Sequence, residues 1–326
     1  VALWRTLQPA RWAGLSIGAT LAATVISYWT IEDVQPGQVR WGGLCVLLAA
    51  AYALASVPVH RRRDAVAEHT YTLAVLLTGV TSLVSLAVAM ELHDVPPWMA
   101  VAWALEVPAL AFVASWLRVE QLRTLAGGLA VLATFWLVRP GTISAALGPE
   151  VLLNWALWGY GIPAVAFAVA AWRFAKSGAE RLSNALEAGA TLFVLILVTL
   201  DIRHGFQGDA AWSIVPTLRE SATYVVAWFA LGIGALLYGW QWQRKAAMTA
   251  GPVLTAMGAL GAVLLLCGFI NPLWQHESVG TWRILNILIY VYAAPAVLAF
   301  VTARVLLPQR EAQAARLFGS AGLLLL

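Results

Sequence analysis

The stretch Trp41–Arg63 reads WGGLCVLLAAAYALASVPVHRRR. Trp41–Val59 carries no charge and stops at an arginine triplet, Arg61, Arg62 and Arg63. A helix of about 20 apolar residues covers the roughly 30 Å hydrocarbon core of a bilayer. Arginines beyond such a run mark the face on which the chain emerges. Trp41–Val59 therefore reads as one membrane span, and the question becomes how often the pattern recurs.

It recurs nine more times. The further spans are Trp12–Trp29, Tyr71–Met90, Pro97–Leu117, Leu122–Val138, Val151–Trp172, Leu186–Ile202, Glu220–Gln241, Met248–Ile270 and Ile284–Ala303. An eleventh begins near Phe318. The expected fold is an all-α, polytopic bundle of ten transmembrane helices plus the start of an eleventh. Fifteen of the 20 Lys and Arg residues lie at the N-terminus, in every second gap, or after the tenth span. The other gaps hold only Arg40, Arg139, Arg203, Arg219 and Arg283. By the positive-inside rule the N-terminus and the arginine-rich gaps are cytoplasmic. The expected location is a bacterial inner membrane.

Composition agrees. The chain is 61% hydrophobic and 11% charged with 17 Trp, which excludes an ordinary soluble domain. Trp12, Trp29, Trp41, Trp98, Trp116, Trp136, Trp172, Trp240 and Trp282 fall at span ends, where an indole sits at headgroup level. The net charge of +4 reflects loop arginines, and no basic soluble stretch offers a nucleic-acid surface. Cys45 and Cys267 both lie in apolar spans and read as small packing residues. No cofactor or metal motif is present, and the expected partners are lipids, other envelope membrane proteins, or further parts of the same chain. The chain starts at Val1 and stops at Leu323–Leu326 inside an open apolar run, so a longer parent is expected.

An internal repeat is legible. Leu153-Asn154…Tyr160…Pro163-Ala164-Val165 and Leu285-Asn286…Tyr292…Pro295-Ala296-Val297 match in one ungapped register. Met90-Glu91-Leu92-His93 pairs with Leu200-Asp201-Ile202-Arg203-His204, and Glu106 with Glu220. Four helices form the unit, so both copies cross the bilayer in the same sense, as parallel repeats. The expected organisation is two introductory spans in 1–70, repeat one in 71–177, repeat two in 178–308, and a further span starting in 309–326.

Ionisable groups inside spans cost about 2.5–3.5 kcal/mol at a helix centre and face protein or water. Glu106, mid-span, is the sharpest case, readable as a proton-titrating or ligand-contacting carboxyl or as an inter-helix hydrogen bond. Glu220 reads either as a site residue or as a carboxylate favoured at a helix start. Asp201 and His204 are three apart on one face and could pair. Asn154 and Asn286 open their spans, with Tyr160 and Tyr292 deeper, beside prolines expected to kink the helices. These eight are the substrate-binding or proton-titrating candidates. No catalytic motif accompanies them.

The segment Trp103-Ala104-Leu105-Glu106, the run Leu200-Asp201-Ile202-Arg203-His204-Gly205-Phe206 with Gly208, and the Asn…Tyr…Pro helices resemble a large bacterial family of predicted multi-pass membrane proteins, the domain of unknown function twenty-three thirty-nine. The likeness runs from about Tyr71 onward, with Asp201 where the family more usually has Glu. It implies a longer parent with more spans and supplies no activity. The expected role is a transporter-like protein binding a small solute or lipid-linked molecule in an outward-facing polar cavity. The alternatives are a membrane enzyme acting on envelope precursors, with Asp201, His204 or Glu220 as acid/base groups, and a non-catalytic scaffold.

Overall fold

The computed structural model describes residues 9–34, 39–62, 67–143, 150, 153–208, 215–275, 287–306 and 312–325. All regular structure among them is helical. The long helices are α1 (Pro9–Val34), α2 (Trp41–Arg61), α3 (Ala67–Glu91), α4 (Pro96–Leu117), α5 (Gln121–Val138) and α6 (Ile162–Lys176). They continue as α7 (Glu180–Gln207), α8 (Leu218–Trp242), α9 (Lys245–Gly261), α10 (Ala294–Leu306) and α11 (Ala312–Leu325). Three wider π-helical segments interrupt this: Leu157–Gly161 leads into α6, Ala262–Phe269 extends α9, and Ile289–Ala293 leads into α10.

Among the described residues, 9 helices are long and apolar enough to cross a membrane, and they coincide with nine of the expected spans. The expected sixth span, Val151–Trp172, differs. It is helical over Leu157–Lys176, but Gly159, Tyr160, Gly161 and Pro163 dilute its apolar character, and residues 151 and 152 lie outside the described set. Asn286 lies outside it too. α11 starts at Ala312, earlier than the expected beginning near Phe318, because its first turns carry polar residues that hydropathy does not count.

The chain divides into two compact units, Val1–Ile143 with Val169–Ser183, and Ser144–Ala168 with Asn184–Leu326. In the first, α2–α3 and α4–α5 form hairpins, α1 packs on α3, and α3 also touches α4 and α5. In the second, α8–α9 and α10–α11 form hairpins, and α10 lies against α8 and α9. The α8–α9 contact is close because small residues face each other. A methyl at Gly232 would fall 2.7 Å from the Thr255 backbone nitrogen, and one at Gly239 would fall 2.7 Å from that of Met248. Such approach gives helices in lipid their van der Waals contact.

Turn chemistry explains the hairpin corners. Gly178, at φ +77°, ends α6, with Ala179 N–H donating back to the Phe174 carbonyl at 3.0 Å and Gly178 N–H to that of Ala175 at 3.2 Å. α4 and α8 end in the same left-handed manner, but on Arg118 (φ 56°) and Gln243 (φ 50°). After each, the next amide reaches back across the turn, Val119 to Ala114 at 3.2 Å and Arg244 to Gly239 at 2.9 Å. A residue with a Cβ costs about 1–2 kcal/mol in that conformation, so the shared geometry is held by the hairpins around it.

Candidate functional site

Two polar clusters stand out, one in each unit. In the first, Glu106 is the eleventh residue of the 22-residue α4 and half-buried. Ser85 on α3 donates its hydroxyl to Glu106 Oε2 at 2.6 Å. Trp103, almost one turn before Glu106, donates its indole N–H to the Ser85 carbonyl at 3.1 Å. The other carboxyl oxygen, Glu106 Oε1, is buried with no partner among the described residues. A buried oxygen left unsatisfied costs about 1–3 kcal/mol, and more when charged.

Ser85 and Trp103 also belong to the wall of a cleft of about 830 Å³. The α3 side carries Thr78, Thr81, Ser82 and Ser85, one face of a helix at spacings of three, four and seven. The α5 side carries Gln121, Thr124 and Gly128, and a Cβ at Gly128 would meet nothing within 4 Å. The volume falls within the range of about 300–1,000 Å³ typical of small-molecule sites. The hydroxyl stripe was missed in the sequence, although its helical period was there to be read.

In the second unit, Glu220 is fully buried and fully engaged. Its Oε1 accepts from Arg203 Nη1 at 2.6 Å and from the Tyr224 hydroxyl at 2.8 Å, and its Oε2 accepts from Gln207 Nε2 at 2.7 Å. Tyr224 in turn stacks on Trp228 with ring centroids 5.8 Å apart. Glu220 lies in the first turn of α8, where the helix-start reading puts it. Thr217 caps α8 by accepting the Glu220 N–H at 3.3 Å, half of a Thr-x-x-Glu capping box. The carboxylate, instead of closing that box, turns to the last turns of α7.

The other candidates scatter. Asn154 donates to Asp201 Oδ1 at 2.9 Å and accepts the Leu157 N–H at 3.2 Å, tying the start of the π-helical segment to α7. Asp201 makes no hydrogen bond to His204, whose Nδ1 is buried without a partner among the described residues. Tyr160 is buried against Phe193, while Tyr292 donates to the Leu266 carbonyl at 2.9 Å. Both tyrosines lie on π-helical segments that precede their prolines, at the same register in Leu157–Gly161 and Ile289–Ala293. Glu91 accepts the Gly42 N–H at 3.0 Å, and His93 with Asp94 forms an exposed pair at 3.1 Å.

Glu106 and Glu220, matched in the sequence as repeat landmarks, sit at different depths of their helices. Trp103 and Trp228 are placed alike in α4 and α8. Each precedes its left-handed corner, Arg118 or Gln243, by the same number of residues, and each indole bonds to the preceding helix. Trp228 does so through Thr199 Oγ1 at 3.4 Å.

A further ion pair closes the other end of α7. Arg244 Nε lies 3.0 and 3.2 Å from the two carboxyl oxygens of Glu187, and Nη2 lies 3.0 Å from Oε2. Bonding to that carboxylate raises the Arg244 guanidinium still further above its ordinary value. α7 is thus joined to α8 near one end, and to the α8–α9 corner near the other.

A family profile described as a predicted membrane protein (DUF2339) matches residues 1–326. No curated protein and no solved structure matches the chain.

Proposed function

The chain belongs to the DUF2339 family of predicted membrane proteins, and from that premise we propose that the cleft between α3 and α5 binds a small polar solute in a transporter-like role. One observation carries this reading. A mid-helix carboxyl, Glu106, has one oxygen held by the cleft-wall hydroxyl of Ser85 and the other buried without a partner among the described residues. A proton is what that oxygen lacks. Four hydroxyl side chains on one face of α3 give that cleft a polar wall.

Glu220 is the weaker functional candidate. Three donors already fill its two oxygens, which is the arrangement of an anchor rather than of a free acid or base. For the enzyme reading, Asp201 and His204 are then the remaining acid/base candidates.

The arginine distribution supports an inner-membrane location with the N-terminal end inside. In that orientation Ala89 lies toward the outer end of α3 and Gln121 at the cytoplasmic start of α5, so the cleft lining spans both sides. The paired corners, paired indoles and paired π-helical segments support two parallel four-helix copies over 71–177 and 178–308.

The test is uptake into proteoliposomes holding the full chain, screened over small polar solutes with and without an imposed pH gradient. Saturable, proton-dependent flux that disappears in Glu106→Gln is the expected result. Flux that is unchanged by Glu106→Gln would sink the proposal. No flux for any solute, together with tight co-purification of other membrane proteins, would favour a scaffold.

A further inference from the structure

At the arginine end of α2 the first unit carries a second cleft, of about 410 Å³, between α1, α2 and α3. It shares no lining residue with the α3–α5 cleft. The α2 wall runs from Ala55 through Val59 to Arg62, one helix face at spacings of four and seven. That spacing gives a depth of about 10 Å at 1.5 Å per residue. The facing α3 wall runs from His69 to Leu76 in the opposite sense, and Trp12, in the first turn of α1, forms the third side. His69 Nδ1 donates to the Arg62 carbonyl at 3.0 Å, so Arg62 and His69 mark one end and Ala55 and Leu76 the other. The two ends differ in kind. Ala55, Val59 and Leu76 offer only carbon. The Arg62 side chain is exposed and has no hydrogen bond or ion pair among the described residues, which leaves its five N–H donors open. No Asp or Glu lines the cleft, and in the adjoining gap Asp64 and Glu68 are outnumbered by Arg61, Arg62 and Arg63. All three helices are long and apolar enough to cross a membrane. Their meeting ends therefore fall at headgroup level, and the carbon-lined depth falls among lipid chains.

We infer that this cleft holds one anionic phospholipid, with its phosphate on Arg62 and a fatty chain along Ala55, Val59 and Leu76. A free phosphate would use the guanidinium and leave the apolar depth unfilled. An uncharged apolar solute would do the reverse. A phospholipid supplies both halves and already lies at the right depth. A guanidinium matches two phosphate oxygens at once, which an ammonium cannot do. Basic pockets between membrane helices hold anionic headgroups on the same principle. A zwitterionic headgroup fits less well, because its own ammonium would approach Arg61 and Arg62. His69 is a positioning residue here: its bond to the Arg62 carbonyl fixes the corner from which the guanidinium reaches the cleft.

Native mass spectrometry of the full chain in detergent tests this by counting lipids retained as dioleoylphosphatidylglycerol or dioleoylphosphatidylethanolamine is titrated in. Saturable retention of one phosphatidylglycerol, clearly tighter than that of the zwitterionic lipid, is expected. Arg62→Gln should weaken it by about tenfold or more, the loss of a charge-assisted bond. Arg61→Gln removes the same charge from an exposed neighbour that does not line the cleft. It should weaken retention by about fivefold at most, the effect of surface charge alone. Ala55→Phe, at an exposed position, fills the deep end without touching the charge and should also displace the lipid. Glycerol 3-phosphate, the headgroup without chains, should not compete. Equal retention of the two lipids, equal losses in Arg62→Gln and Arg61→Gln, or retention untouched by Ala55→Phe would each overturn the assignment. Displacement by glycerol 3-phosphate would overturn it in favour of a soluble anion.

Discussion

Arg203 Nη1 lies 2.6 Å from Glu220 Oε1, joining the last turns of α7 to the first turn of α8. The Glu220 side chain is fully buried and that of Arg203 is 12% exposed, so water does little to screen either charge. Breaking one partner of such a pair strands the other. Glu220→Gln should therefore lower stability by about 3–5 kcal/mol, read as a fall in melting temperature of the detergent-purified chain. A melting temperature within error of the wild type would mean that the pair is not held as described.

Glu106→Gln should behave in the opposite way. Its removal of charge leaves no stranded cation, and the carboxyl already carries an unsatisfied oxygen. The melting temperature should stay level or rise, while ligand binding in the cleft is lost. A drop comparable to that of Glu220→Gln would show that Glu106 serves as an anchor.

The pair Glu187–Arg244 is forked, with the guanidinium reaching both carboxyl oxygens. Arg244→Lys keeps the charge and loses the fork, since an ammonium cannot match that geometry. It should cost about 1–2 kcal/mol, roughly the worth of one charge-assisted bond. Arg244→Ala should cost clearly more, and equal losses in the two variants would deny the fork any role.

Gly232→Ala should destabilise the α8–α9 hairpin by about 1–3 kcal/mol through overpacking, because the added methyl meets backbone atoms of the facing helix. Gly234→Ala, two residues on with nothing within 4 Å, is the control. It should be neutral or gain roughly 0.5–1 kcal/mol from the reduced freedom of the unfolded chain. The difference between the two melting curves is the measurement.

Much of this architecture was legible from solvent preference. The uncharged run Trp41–Val59 and its arginine stop correspond to α2, Trp41–Arg61, and Leu122–Val138 to α5, Gln121–Val138. Hydropathy fell short on α7, expected over Leu186–Ile202 and found over Glu180–Gln207. Its polar ends are helical because Glu187, Arg203 and Gln207 find partners on or beside α8, and such partners are invisible to a window average. Glu106 announced itself as a charge in an apolar run, whereas Ser85 did not. Their contact depends on how α3 packs against α4. Glu220 was half legible, its backbone role following from Thr217 three residues earlier and its carboxylate partners from nothing local. The Asp201–His204 spacing suggested a pair, and the two do interact electrostatically, but the hydrogen bond to Asp201 comes from Asn154, in the bend before the π-helical segment.

The two ion pairs of α7 carry a mechanical implication. Glu187 and Arg203 are separated along the helix by about 24 Å at 1.5 Å per residue, less than the roughly 30 Å depth of a typical acyl layer. The second unit thus owns an internal ruler. Thick membranes would draw its charged brackets into oil, while thin ones would leave them at the wet boundary, so hydrophobic mismatch bears on this unit through two salt bridges rather than through its greasy surface alone. Reconstitution across phosphatidylcholines of graded chain length should place the maximum of thermal resistance among the shorter lipids, and replacing Glu187 and Arg244 together by leucine should move that maximum toward longer ones.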